Sequence, residues 1–379
     1  MLAKNPSGWV KDCMQSKNIH YIDRLDHVRF LAAATVVLFH TFISVRSSST
    51  AQDYFSIPLI QQGHTGVQLF MVISGMILTL IAGDKEIVVS KFYLNRVLRI
   101  YPLFVFIVTL GYFSTPDPRP TSVGIDYLMS LLPISNLYRL QYGQWGGQLW
   151  TIAVELQFYL LFPYLLAFKR KYGISYIFGL IGLMIFLRAA IQFGFTGTVH
   201  NLAFISIFGN LEMFLAGMLA GDFYRTLSKR WTWWHRSWVL PIYFLGINVV
   251  IYALFKNRTF FHVDFDGISP DGVSHSAFWI LWPTVQAVMW AGFVLIYLNS
   301  ELPIPFSTFL ATLGKYSYSI YVWQYFVLFG LQNYFLSLSP YTFGVVVVLP
   351  ITIAFAAASY HLIERPFLEM RVRYTKTVE

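Results

Sequence analysis

Apolar residues fall in ten long runs, near 28–45, 64–83, 97–113, 149–168, 172–193, 201–224, 237–255, 277–298, 307–332 and 341–363, with polar and basic blocks between them. Runs of this length predict membrane-spanning helices, because about 20 residues at about 1.5 Å each cross the hydrocarbon core. Only "KRKYG" (169–173) parts the fourth run from the fifth. No internal repeat or low-complexity tract interrupts the pattern. Residues 1–27 are polar and contain nothing resembling a signal peptide, so the first span is expected to be retained. The expected organisation is a cytoplasmic segment over 1–27, a transmembrane bundle over 28–363 and a cytoplasmic tail over 364–379.

The basic residues test the count of ten. With the N-terminus in the cytoplasm, only Arg46, Arg119, Arg139, Lys256 and Arg258 fall in outside loops, while Arg29, Arg188 and Lys315 lie within spans. The other 19 of the 27 Lys and Arg fall inside. That bias supports an all-α protein of about ten spans with both ends in the cytoplasm. An odd number of spans would spoil the alternation.

Composition agrees. Of 379 residues, 56% are hydrophobic and only 12% charged, where a soluble domain carries roughly a quarter charged. The 35 Phe, 24 Tyr and 11 Trp suit the aromatic belts of a membrane protein. A net charge of +9 invites nucleic acid as a partner, but the cations sit in short blocks set by topology and not in a binding patch. Cys13 is the single cysteine, so no intrachain disulfide forms.

Ionisable residues inside spans mark candidate chemistry, because they are costly there. Arg29 and His40 share the first run. Eleven residues separate them, roughly 16 Å of rise and about 20° of rotation, so they lie on one stripe at different depths. Arg96 and Arg99 stand one turn apart at the cytoplasmic start of the third span. Glu155, about two turns into the fourth, is expected level with His40. Guanidinium clusters suit phosphates, and an imidazole beside a carboxylate suits general base work. Blander roles remain open: a snorkelling Arg29, a packed His40, anchoring for Arg96 and Arg99, a buried hydrogen-bond partner or proton relay at Glu155. A phosphate-bearing donor entering from the cytoplasm needs an arm of roughly 15 Å to reach His40; an acyl thioester of coenzyme A has that shape.

Other positions weigh less. Lys315, Tyr316 and Tyr318 near the inner end of the ninth span are candidates for donor phosphates, with snorkelling sufficient for Lys315. Trp150 suits an interfacial anchor or a sugar-stacking ring. Arg188 and Glu212 read as structural. The stretch "FHVDFDGISPDGVSH" (261–275) hints at calcium through Asp264 and Asp266, but the later bidentate acid is missing. A solvated loop is favoured, and no metal is expected.

Seven stretches now combine: "RLDHVRFLAAATVVLFH" (24–40), "GVQLFMVISGMIL" (66–78), "FYLNRVLRIYPLF" (92–104), "LWTIAVELQFYLLFP" (149–163), "EMFLAGMLAG" (212–221), "LGKYSYSIYVW" (313–323) and "IERP" (363–366). In this order they resemble the membrane acyltransferase-3 family, which O-acylates cell-surface polysaccharides and related molecules. The resemblance implies ten spans, cytosolic acyl-CoA as donor, His40 and Glu155 as catalytic residues, and Arg29, Arg96 and Arg99 as donor-binding residues, with Lys315 and Tyr316 added to these. It also implies a glycan or glycolipid acceptor, in a bacterial inner membrane. Three positions depart from the family pattern: Gln68 stands where an acid is frequent, Gln324 where His is frequent, and Leu156 where a second acid follows. An amide cannot take a proton at neutral pH, so Gln68 and Gln324, with Trp150, become candidates for substrate contact, and His40 stands alone as base. With about fifteen residues after "IERP", a stand-alone enzyme is expected, or one that hands the acyl group to a separate partner protein. The alternative from another class is a transporter or flippase with an intramembrane polar column; it would favour inverted repeats and broken helices, which the sequence does not show.

Overall fold

In the computed structural model, residues 21–48, 58–114, 123–138, 146–194, 205–226, 233–256, 277–334 and 338–376 are described. Eleven longer helices carry the architecture: α1 (Asp23–Ser48), α2 (Gly66–Ala82), α3 (Val89–Phe113), α4 (Trp150–Tyr172), α5 (Ile174–Gly194), α6 (Ile207–Thr226), α7 (Val239–Lys256), α8 (Trp282–Asn299), α9 (Ser307–Lys315), α10 (Ser317–Leu331) and α11 (Pro340–Glu369). Among the described residues, each of the ten apolar runs falls mainly on helix. Among the described residues, six helices are long and apolar enough to cross a membrane: α1, α2 (with the turn before it), α3, α4, α5 and α11. The chain is a multi-pass membrane protein.

The ninth run is corrected. It forms two helices, α9 and α10, with Tyr316 at the junction (φ −85°, ψ 0°). At the end of α9, Gly314 lies against α1 so closely that a Cβ would fall 2.0 Å from the Asp26 carbonyl oxygen. The first and ninth runs therefore meet backbone to backbone, an approach only glycine permits.

Helix α2 is the centre of the bundle and packs chiefly on α6. Here two glycines interlock: a Cβ on Gly75 would sit 2.1 Å from the Phe214 carbonyl oxygen, and one on Gly217 would sit 2.0 Å from that of Val72. Small residues let helix backbones approach in this way and maximise dispersion contacts where lipid offers no hydrophobic drive. Phe158 stacks on Phe214 at 3.9 Å and ties α4 to the same seam. Helix α5, by contrast, exposes Phe178 and Phe186, as a helix facing acyl chains does.

Helix α11 starts on a Ser339 cap, whose hydroxyl accepts from the Thr342 amide at 3.1 Å. It contains two π-helical turns, Phe343–Val348 and Tyr360–Glu364. Beyond it the chain turns back. Thr375–Lys376 (β2) pairs antiparallel with Glu86–Ile87 (β1), the connection between α2 and α3. Asn95 grips this returning strap at both backbone groups of one residue: its Nδ2 donates to the Val372 carbonyl (2.6 Å) and its Oδ1 accepts from the Val372 amide (3.0 Å). Tyr374 is buried beneath it.

Candidate functional site

The start of α1, α2, the starts of α3 and α10, α4 and the strap enclose a cavity of about 190 Å³. Four arginines line it: Arg29, Arg96, Arg99 and Arg371, against the carboxylates of Asp26 and Glu155. The predicted gathering of Arg29, Arg96 and Arg99 is therefore present. Arg29 donates to Asp26 one turn earlier (3.1 Å). Arg99 pairs with buried Glu364 (3.3 Å) and lies over the Tyr318 ring at 5.6 Å. Glu364 is held by the Ser319 hydroxyl as well. Arg96 is sandwiched by aromatic rings, at 5.5 Å from Phe92, 5.3 Å from Tyr159 and 6.0 Å from Tyr374. Its Nε is buried without a hydrogen-bond partner. A buried donor left unmade costs about 1–3 kcal/mol, and more for a charged group. Such a donor, in a cavity with a cationic surplus, suits an anion.

Arg371 belongs to the strap. Its Nε donates to the Leu368 carbonyl at 3.0 Å. Burial lowers its pKa to about 10, helped by the neighbouring charges of Arg99 and Arg96. The guanidiniums repel one another across the cavity, and an anion between them would relieve that repulsion.

Glu155 faces into this cavity. It accepts from the Ser74 hydroxyl (3.1 Å) and from the Tyr159 hydroxyl one turn further along α4. The expected pairing with His40 is not formed among the described residues. Matching depth along two helices says nothing of azimuth, and Glu155 turns towards α2 and the arginines.

His40 instead faces α10. Its Nδ1 lies 3.0 Å from Gln324 Oε1. The amide orientation is set from the other side, since Gln324 Nε2 donates to the Tyr321 carbonyl at 3.0 Å. Oε1 can only accept, so His40 donates from Nδ1, and in the neutral ring the lone pair is then on Nε2. The ring packs edge-on to Tyr325 (4.7 Å) and against Phe39 (5.3 Å). His40 does not line the arginine cavity. Between the two stands Tyr321, whose ring lines the cavity and whose carbonyl anchors Gln324. The Tyr321 hydroxyl donates to the Gln148 carbonyl and bonds Thr151, each at 2.8 Å, which holds this roof in place.

The remaining predicted residues separate. Lys315 lies over the Tyr21 ring (5.8 Å) at the edge of the cavity, outside its lining. The Tyr316 hydroxyl meets His361 Nε2 at 3.3 Å, outside the cavity lining. Tyr318, the third candidate on this segment, lines the cavity. Gln68 is buried on α2 with Oε1 unpartnered, outside the cavity lining. Trp150 is half-buried at the start of α4, after Gly147, which lies against the Tyr325 ring. Arg188 and Glu212 form a fully buried ion pair (2.9 Å) completed by the Thr284 hydroxyl and the Ile280 carbonyl, as a structural role requires. The acidic stretch 261–275 and Cys13 lie outside the described residues.

Sequence reasoning missed Arg371, Glu364, Ser74 and Tyr159. Glu364 stands within "IERP" and a buried acid beside an arginine cluster was a signal available there; Arg371 offered none.

A family model described as an acyltransferase domain matches residues 22–361. SACOL0978 of Staphylococcus aureus (strain COL), provisionally named an O-acetyltransferase, is 24% identical over 392 residues, covering 93% of this chain and 58% of that protein. O-acetyltransferase OatA of Staphylococcus aureus (strain NCTC 8325 / PS 47) is 22% identical over 381 residues, covering 91% of this chain and 57% of that protein. The chain thus spans less than two thirds of the length of these relatives. No solved structure matches it. The helices that bear Arg29, His40, Arg96, Arg99, Glu155 and Gln324 all lie within the matched segment, and the chain belongs to the acyltransferase-3 family.

Proposed function

We propose that this protein is an integral-membrane O-acyltransferase of about ten spans, with both described ends on the cytoplasmic side of a bacterial inner membrane. It moves an acyl group, acetyl in the simplest case, from cytosolic acyl-CoA to a hydroxyl of a cell-surface polysaccharide, lipid-linked glycan or glycolipid. The observation that carries this is the four-arginine cavity, with its unpartnered Arg96 Nε, lying beneath a histidine whose Nε2 lone pair is fixed by Gln324. The names of the staphylococcal relatives support O-acetyl transfer.

In this mechanism Arg29, Arg96 and Arg99 hold the donor phosphates by charge-assisted hydrogen bonds. The thioester arm runs past Tyr321 towards His40, over the roughly 16 Å that separate Arg29 and His40 along α1. His40 Nε2 takes the proton of the acceptor hydroxyl as its oxygen attacks the thioester carbonyl. The carbon–sulfur bond breaks, and the thiolate leaves with the proton that the imidazolium returns. Gln324 keeps the tautomer, and Trp150 contributes to the acceptor side. Glu155, inside the cavity with Ser74 and Tyr159, orients the donor.

Turnover of labelled acetyl-CoA by the purified protein, with and without His40→Ala, tests this. Loss of transfer with donor protection retained is expected. Unimpaired transfer by the variant would overturn the role of His40, and heat protection by a transported solute but not by coenzyme A would favour a transporter.

A further inference from the structure

The family match ends at residue 361, yet the cavity is closed by a residue ten positions beyond it. We infer that Arg371 is a donor-binding residue, a fourth guanidinium for the phosphates, and that the strap of residues 370–376 positions it by docking on the α2–α3 connection and on Asn95. The inference rests on the donor site proposed above.

Three observations converge. First, Arg371 lines the same cavity as Arg29, Arg96 and Arg99. Second, the strap is tied down on both sides of the residue. Before it, the Arg371 amide and Nε both bond the Leu368 carbonyl (3.3 and 3.0 Å). After it, Asn95 bonds both the amide and the carbonyl of Val372, the Tyr374 carbonyl accepts from the Val88 amide (2.8 Å), and β2 pairs with β1. A tail without a task seldom makes so many specific backbone bonds, since ordering each residue costs roughly 1–2 kcal/mol of backbone entropy. Third, the strap shapes the neighbouring arginine as well. Tyr374 is one of the three rings that enclose Arg96, and Arg96 carries the buried Nε without a partner. The mutual repulsion of Arg371, Arg99 and Arg96 persists in the folded protein, and a polyanion seated among them would offset it.

Asn95 is then a positioning residue: it is not itself part of the cavity lining but fixes Val372, the residue that follows Arg371. Its contribution passes through Arg371, and a double-mutant cycle separates that from general folding.

The test measures coenzyme A affinity of the full-length purified protein by ligand-induced heat protection. Wild type, Arg371→Ala, Arg371→Lys, Asn95→Ala and the Asn95→Ala/Arg371→Ala double variant are compared, each first shown to be monodisperse. Arg371→Ala is expected to weaken coenzyme A by at least about tenfold, the scale of a lost hydrogen bond to a charged group, and Arg371→Lys by less. Asn95→Ala should weaken it in the Arg371 background and do so markedly less in the Arg371→Ala background, where only the Tyr374 ring beside Arg96 is still affected. Wild-type affinity in Arg371→Ala would overturn the inference, and so would a full, independent Asn95 effect in the double variant. Absence of protection in wild type would instead overturn the donor site itself, so the two failures are distinguishable.

Discussion

Glu364 neutralises Arg99 from behind the cavity, and replacing it should make the protein less stable while making it bind donor better. The side chains of Arg99 and Glu364 are 10% and 1% exposed and lie 3.3 Å apart. At an effective dielectric of about 20, a pair this close attracts by roughly 5 kcal/mol. Removing one partner of a buried pair costs about 3–5 kcal/mol, since the other charge is left uncompensated. Glu364→Gln retains shape and some hydrogen bonding to Ser319, so the lower end applies. At about 2 °C per kcal/mol for a long chain, the temperature of half-loss of monodisperse protein in detergent should fall by roughly 6 °C or more. The same substitution removes the carboxylate at 3.3 Å that offsets the Arg99 charge on the side away from the cavity. An anion bound there replaces the missing carboxylate, so a saturating dose of coenzyme A should raise the melting temperature more in Glu364→Gln than in wild type. Fluorescence-detected size exclusion after a heating series reads both quantities. A variant as stable as wild type would refute the buried pair. A smaller coenzyme A increment would show that Arg99 does not face the donor.

Gln324→Ala removes the acceptor that fixes the His40 tautomer; acyl transfer should fall about 10- to 100-fold, by the 1–3 kcal/mol scale of a lost buried hydrogen bond, with donor protection unchanged. Gly217→Ala places a Cβ 2.0 Å from the Val72 carbonyl oxygen, so α2 and α6 must part; a loss of about 1–3 kcal/mol or more is expected in the same thermal assay, and Gly75→Ala should act similarly and non-additively with it. Arg188→Met or Glu212→Leu alone should cost about 3–5 kcal/mol, whereas the double replacement should recover most of that loss; equal losses in all three variants would mean that the pair is not the reason for the cost.

The sequence made the helices legible because apolar length reports them directly: each of the ten runs is helical, and Arg29, Arg96 and Arg99 converge as their placement at the starts of α1 and α3 required. Azimuth was harder to read. His40 and Glu155 were matched by depth, but helical rise does not say which way a side chain faces, and the two point to different neighbours. The break at Tyr316 escaped because "LGKYSYSIYVW" is apolar and helical on both sides; the close seat of Gly314 on Asp26, a tertiary contact, separates the two helices. Of the candidates Tyr316 and Tyr318, the cavity is lined by Tyr318, while Tyr316 meets His361. Gln324 was legible as a departure and unreadable as a partner, since its contact lies 284 residues away on α1. Arg371 was the hardest: it sits in a short polar stretch with no periodicity, and only the fold reveals what it returns to.

The returning strap also sets the order in which the molecule matures. The cavity draws on residues from Tyr21 to Arg371, and the clamp that closes it joins Asn95 to a peptide 277 residues later. Helices α1 to α4 precede the wall supplied by the strap by some two hundred residues of chain. A nascent or prematurely terminated bundle would present an open pore of arginines with neither Arg371 nor the Tyr374 ring behind Arg96. The full lining therefore requires α11 and the strap to be in place, because Arg371 and Tyr374 both lie beyond that helix.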